Sequence, residues 1–379
     1  MNLELFGCSG GMAEGFRRAG ITFDFTFDRD ADACASYTTN LGHAPIQIDV
    51  RDVLRMARGG WSPGQVELLV ADPPCTPWSR AGKRKGTEDK RDLLGETVEL
   101  IALLRPRAYL IANVPGLDDA PHLPVVQRLI GGLARHRYCV ADFACRDAAD
   151  FGLPQRRVRP FWFGHRGGPC LTWPLRTHGP EDGRQTQCIE PLQPWVTCRE
   201  ALGHLPIIEL GRPVRLRFRG AQSVDPKRAG KKPRASITDA PAGVVTTRSN
   251  GDGDLLWNPK HPINRPDAPS FTVSTKATRG AQGATALAWP WDRPATSVTE
   301  DPRIPPPGHH PETGSVLSAP DAILLSERAK AILQGFPESW HFAGKTKGSR
   351  HAQIGMAMPP PLAEAVARCI ARWLRGVSP

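Results

Sequence analysis

Strand and helix patterns alternate through the first 164 residues, and this alternation constrains the fold more than any other feature of the chain. Apolar runs at 2–6, 23–28, 45–50, 66–71, 108–112, 138–145 and 158–164 read as strands. Helical patterns fall through Phe16 to Ala19, at about 91–104 and at about 122–136. Chains of this order bury a sheet between helical layers, so the pattern predicts an α/β fold with a doubly wound, mostly parallel sheet. Such sheets place ligands beyond the carboxyl ends of their strands.

One of those ends leads into Asp72-Pro73-Pro74-Cys75-Thr76-Pro77-Trp78-Ser79-Arg80-Ala81-Gly82-Lys83-Arg84-Lys85-Gly86. Cys75 therefore sits just past a strand, on a backbone stiffened by two prolines. Arg80, Lys83, Arg84 and Lys85 follow in a loop suited to an anion. A lone cysteine beside such a loop is more often a buried thiol next to a solvated face, but its neighbours here argue for chemistry. Residues 2–6 run into Gly7-Cys8-Ser9-Gly10-Gly11, a glycine turn that would let a cofactor approach the backbone at a helix start. Phe23-Asp24-Phe25-Thr26-Phe27-Asp28 ends in an acid at the distance expected for ribose hydroxyls, and the third run ends near Asp49.

Composition narrows the partners. A formal charge of +11 and a pI near 9.5 favour a polyanion. Nine cysteines without regular spacing argue against a disulfide framework or zinc ribbon, and for a reducing compartment. No apolar run approaches a membrane span, so a cytosolic protein is expected.

From about residue 170 proline, glycine, threonine and arginine become dense, and helical patterns nearly vanish apart from Cys198 to His204. Nine basic residues between Arg212 and Arg234 accompany a single acid, Asp225. Such a run is often only a solvated face. Arg215, Arg217 and Arg219 alternate with Leu216 and Phe218, which on a strand puts three guanidinium groups on one face, suited to phosphates or guanine edges. Asp239 to Thr247, Asp267 to Thr275 and Asp292 to Glu300 repeat the form Asp-x-Pro-small-x-x-Val-hydroxyl at spacings of 28 and 25. Each reads as a proline turn launching a short strand, either plain strands of a small β domain or direct base contacts. Helical texture returns at Leu325 to Leu333 and Pro361 to Leu374.

Three further stretches complete a constellation: Ile111-Ala112-Asn113-Val114-Pro115-Gly116, Phe151-Gly152-Leu153-Pro154-Gln155-Arg156-Arg157-Val158-Arg159, and Gln353-Ile354-Gly355-Met356-Ala357-Met358-Pro359-Pro360, read as opening the last helix. With the glycine turn and the proline-proline-cysteine element, their order resembles the DNA cytosine-5 methyltransferases over roughly residues 2–170 and 315–375. The resemblance implies a Rossmann-like S-adenosylmethionine-dependent methyltransferase sheet, residues 1–172 plus 316–379, with an inserted small β-rich target-recognition domain, residues 173–315. It implies a monomer acting on double-stranded DNA in the cytoplasm of a bacterial or phage-infected cell, with no metal, and a protective role against restriction.

The same resemblance assigns roles. Cys75 matches the nucleophile that adds to cytosine C6 and makes C5 able to attack the methyl sulfonium. A positive environment would raise its thiolate fraction above that of a free thiol, which titrates near about 8.5. Asn113 and Gln155 belong to the catalytic motifs, and Arg157 and Arg159 match arginines that hold the flipped base and organise the thiol. Phe6, Ser9, Gly10, Gly11, Pro74, Leu94, Met356 and Ala357 match the cofactor wall, Asp28 the ribose contact, Asp49 and neighbouring Val50 the adenine contact. Arg80, Lys83, Arg84, Lys85, Arg215, Arg217 and Arg219 are the expected DNA contacts.

Several positions depart from the family. Ala112 stands where the family has a glutamate that contacts cytosine N3 and N4, and no neighbouring acid obviously replaces it. Impaired turnover is therefore expected, through either an engineered substitution or a natural variant. Arg29 stands where an aromatic often stacks on adenine, Met356 where asparagine is usual, Thr76 where glutamine is frequent, and Cys8 at a usual glycine. A DNA-binding protein without catalysis and an RNA methyltransferase are the rival readings.

Overall fold

The computed structural model describes residues 1–78, 86–119, 122–139, 142–180, 191–206, 209, 211–213 and 323–376. Arg80, Lys83, Arg84, Lys85, Arg215, Arg217, Arg219 and all three repeats lie outside the described residues.

Among the described residues seven strands form one sheet: β1 (Asn2–Leu5), β2 (Phe25–Asp28), β3 (Ile46–Gln47), β4 (Leu68–Ala71), β5 (Ala108–Ala112), β6 (Asp142–Asp147) and β7 (Val158–His165). Their order is β3-β2-β1-β4-β5-β7-β6. β1 to β5 run parallel, and β7 lies antiparallel between β5 and β6. The order reverses between β1 and β4, the crevice where doubly wound sheets bind ligands. Every residue of β4 and β5 is buried, which is why both read as continuous apolar runs instead of alternating ones.

Helices α1 (Gly11–Arg18), α2 (Ala31–Leu41), α3 (Val50–Arg58), α4 (Leu94–Leu104) and α5 (Leu123–Gly131) connect the strands. Three of the expected elements moved. The 45–50 run yields only two strand residues, because the Asp49 side chain accepts from Arg51 N at 2.9 Å and caps α3. The strand expected at 138–145 begins at Asp142, after Tyr138 has anchored its hydroxyl on Pro106 O at 2.7 Å. At the other end of the chain Leu325 belongs to a strand, since Ser326 caps the next helix on Ala329 N at 3.0 Å.

After residue 172, β8 (His178–Gly179) pairs with β9 (Gln193–Pro194), and α6 (Cys198–Leu202) starts at a capping box formed by Thr197 and Glu200. β10 (Gly211–Pro213) then pairs antiparallel with β11 (Ile323–Leu325), so the two ends of the 214–322 segment lie side by side. The chain finishes with α7 (Glu327–Leu333), α8 (Lys347–Met356) and α9 (Pro360–Leu374).

Two apolar clusters cover the sheet. One holds Phe16, Leu110, Phe161, Val366 and Ile370 between sheet, α1 and α9; the other holds Val53, Leu69, Leu100, Ile111 and Ile130 against α3, α4 and α5. A third cluster joins Cys198 and Leu202 to Leu325, Leu333 and Phe336, so α6 shares a core with the C-terminal part across the expected domain boundary at 172. No helix among the described residues is long and apolar enough to cross a membrane.

Candidate active site

The carboxyl ends of β1, β2, β4 and β5 and the start of β7 bring most of the expected residues together. After β1 the backbone turns through left-handed conformations at Phe6 (φ 64°), Cys8 (φ 47°) and Gly10 (φ 91°). Cys8 N donates to Asp28 Oδ2 at 2.8 Å and Asp30 N to Asp28 Oδ1 at 2.9 Å, so the acid at the end of β2 holds the turn in place. Burial pushes the Asp28 carboxyl above its usual range.

The glycines of the turn answer to the protein's own packing. A Cβ on Gly7 would lie 2.4 Å from the Thr26 methyl, and one on Gly11 would lie 2.2 Å from Met358 O. At these two positions glycine also answers to packing, since β2 and the α8–α9 junction press against them. Ser9 is fully buried, with its hydroxyl 3.5 Å from Gln353 O. Asp49 at the start of α3 lies 3.5 Å from the exposed Arg29 guanidinium. Phe6 and Pro74 are partly exposed on this rim, while Val50 and Leu94 are buried behind it.

Cys75 lies four residues beyond β4 and is partly buried. Trp78 N donates to Cys75 O at 3.0 Å, and Gly86 N to Pro77 O at 3.1 Å, so both ends of the basic loop are pinned beside the thiol. Trp78 itself is buried, with Nε1 on Asp92 Oδ1 at 3.0 Å and its ring edge-on to His122 at 5.2 Å. Asn113, just past Ala112, is buried and donates from Nδ2 to Pro73 O at 3.0 Å, fixing the proline-cysteine backbone to the end of β5.

Charge around the thiol is mixed. Burial pushes the Cys75 thiol up, Arg159 draws it back, Asp72 raises it further and Arg157 lowers it. In the free protein burial outweighs the arginines, which corrects the expectation of an enriched thiolate.

Arg157 acts electrostatically on Cys75 and also grips the backbone of the final motif. Its Nη2 donates to Gly355 O at 2.7 Å and Ala357 O at 3.1 Å, clamping the turn between α8 and α9, and its own N–H donates to Asp147 Oδ1 at 2.9 Å. Burial and the neighbouring Arg159 push its pKa well below the ordinary arginine value. Arg159, the arginine of β7, is partly buried and acts electrostatically on both Cys75 and Asp72. Gln155 is fully buried, with Nε2 on Leu333 O at 3.0 Å and on Gln334 Oε1 at 2.8 Å, and Gln334 in turn donates to Ala357 O at 2.7 Å. Gln155 is thus a strut between β7 and α7.

The final motif closes α8 and does not open the last helix: Gln353–Met356 are helical, and the chain breaks at Ala357 before Pro360 starts α9. Ala357 is buried and Met356 half exposed. Sequence reasoning missed Gln334, and it quoted Gln353 and Asp72 within motifs without giving them roles, because their contacts are made only after distant segments meet.

The comparisons can be set against this geometry. A model of the C-5 cytosine-specific DNA methylase family matches residues 1–194 and 236–372. The chain belongs to that family. Its relatives include the Type II methyltransferase M.MthTI of Methanothermobacter thermautotrophicus, 27% identical with 100% of this chain and 99% of the relative covered. The Type II methyltransferase M.NaeI of Lentzea aerocolonigenes is 29% identical over 97% of this chain and 74% of its own. The fold matches the Dnmt2 methyltransferase of S. pombe at a TM-score of 0.56 and 15% identity, covering 99% of this chain and 98% of that one. These findings make the protein a DNA cytosine-5 methyltransferase by family, with an α/β Rossmann-like fold.

Proposed function

We propose that the chain transfers a methyl group from S-adenosylmethionine to C5 of a flipped cytosine in duplex DNA, through a covalent bond from Cys75 to C6. The observation that carries this reading is the convergence of Cys75, Arg159 and the β1 turn at one end of the sheet, in a chain of this family.

The residues present fit the cofactor. Each Asp28 oxygen accepts one backbone hydrogen bond and keeps a lone pair for a ribose hydroxyl. Phe6 and Pro74 offer apolar surface, and Asp49 offers an acceptor for the adenine amine. When bound, the cofactor supplies an electrophilic methyl group on a positively charged sulfur. The chain's own residues do the rest. Cys75 adds to C6, and Arg159 stabilises the thiolate and the anionic base. Arg157 and Gln155 hold the α8–α9 turn that closes the cofactor side. Arg80, Lys83, Arg84 and Lys85 cover the extruded base, and Arg215, Arg217 and Arg219 contact DNA from the 173–315 target-recognition domain, with 1–172 plus 316–379 forming the catalytic domain. The protein works as a cytoplasmic monomer, in modification partnered with restriction.

Ala112 favours a second reading. Loss of a positioned acid slows catalysis about 10²- to 10⁴-fold, which would leave a protein that binds and flips without efficient transfer. An engineered inactive variant and a natural one share this outcome. DNA carrying 5-fluorocytosine separates the readings, because the fluorine blocks release and even a slow enzyme accumulates as an adduct. With cofactor present, a gel-stable complex should form and disappear in Cys75→Ser. Absence of any adduct on mixed-sequence duplex DNA favours the binding protein, and an adduct surviving Cys75→Ser refutes Cys75 as nucleophile.

A further inference from the structure

The strand register puts an acid beside the position that lacks the family's glutamate. β4 and β5 pair in parallel with Val70 opposite Leu110 and Ala71 opposite Ile111, which carries forward to Asp72 opposite Ala112. The hydrogen bond from Asn113 to Pro73 O, at 3.0 Å, keeps the two chains in step one residue further on. Side chains alternate along a strand, so Asp72 continues the face of Leu68 and Val70, the face that also carries Leu110 and Ala112. Neighbouring strands lie about 4.8 Å apart, so a carboxyl group moved sideways by one strand stays within reach of the same base.

The surroundings of Asp72 agree with that placement. It interacts electrostatically with Arg159, Arg157 and Cys75, the groups expected around the target cytosine. Asp28 has its oxygens engaged by backbone N–H groups, and Asp147 by two backbone N–H groups on Oδ1 and the Arg156 guanidinium on Oδ2, whereas Asp72 has no hydrogen bond to a described residue. Burial, opposed by Arg159 and Arg157, pushes its carboxyl up to about 6, so it exchanges its proton closer to neutrality than an ordinary carboxylate does.

We propose that Asp72 supplies the carboxyl group that position 112 lacks, engaging N3 of the target cytosine from the neighbouring strand. The inference rests on the methyltransferase reading above. Once the Cys75 thiol has lost its proton to solvent, the thiolate bonds to C6, the C5=C6 pair becomes C4=C5 and the C4=N3 pair moves onto N3, which takes the Asp72 proton. When C5 then bonds to the methyl carbon, whose bond to sulfur breaks, C4=N3 reforms and the N3 proton returns to Asp72. Loss of the C5 proton to solvent expels the Cys75 thiolate and restores C5=C6. The chain as it stands is therefore an active enzyme, with the acid relocated.

The test is methyl transfer from labelled S-adenosylmethionine to mixed-sequence duplex DNA, with cofactor binding and thermal midpoint measured on each protein. Asp72→Asn, nearly isosteric, should lower transfer by about 10²-fold or more while leaving cofactor binding within about twofold. Ala112→Glu in the Asp72→Asn background should recover at least about tenfold. Wild-type transfer by Asp72→Asn overturns the proposal. So does a parallel loss of cofactor binding and thermal midpoint with no recovery in the double variant, which marks a structural counter-charge. A wild-type chain that becomes active only with Ala112→Glu overturns the proposal and keeps the methyltransferase reading. Silence of both proteins, with no adduct on 5-fluorocytosine DNA, overturns that reading itself.

Discussion

Single residues in this protein are governed by burial before they are governed by neighbouring charge. Cys75 lies near two arginines, yet burial pushes its thiol up. Glu4 is the sharper case. It is 1% exposed in β1, accepts from Tyr37 and Thr26 at 3.0 and 3.1 Å, and is pushed up to about 8 by burial. Below about pH 4.5 both folded and unfolded chains hold this proton; between there and about 8 only the folded chain does. Stability from this site therefore falls as pH rises through that window, by up to about 1.4 kcal/mol per pH unit. Glu4→Gln keeps the acceptor and removes the titration. Its thermal midpoint relative to wild type should climb between pH 5 and pH 8, and a constant difference would refute a neutral Glu4.

At the scale of elements, the site depends on how closely α1 meets α9. A Cβ on Gly15 would lie 2.4 Å from Ala363 Cβ and 2.6 Å from both Glu364 N and Pro360 O. Alanine favours a helix by about 1 kcal/mol over glycine, but overpacking a tight core costs about 1–3 kcal/mol. Backbone atoms cannot move aside as a side-chain tip does, so the packing cost should win. Gly15→Ala should lower the urea midpoint without changing the slope of the transition. Because α1 carries the turn after β1 and α9 follows the turn clamped by Arg157, cofactor affinity should fall with it. Equal stability would show that the two helices can separate freely.

For the whole molecule, a net charge of +11 makes a polyanion the expected partner, and the pairing of β10 with β11 brings the two ends of the 214–322 segment together. Phosphate contacts release counterions, so a site with six or more loses at least about 10³ in affinity between 50 and 200 mM salt. Fluorescence anisotropy on a duplex should show that slope. A flat response would place the affinity in apolar or base contacts instead.

Local patterns determined much of this by themselves. Continuous apolar runs marked β4 and β5, and the end of the β4 run put Cys75 past a strand end. Periodicity and turn chemistry act over a few residues, which is why they can be read along a chain. The tertiary structure alone decided the antiparallel place of β7, the separate helix α8, the Arg157 clamp across 198 residues on Gly355, and the register that pairs Ala71 with Ile111. Each depends on which distant segments meet and in which register. Packing of whole elements, balanced against loop closure, settles that register, and no local signal carries it.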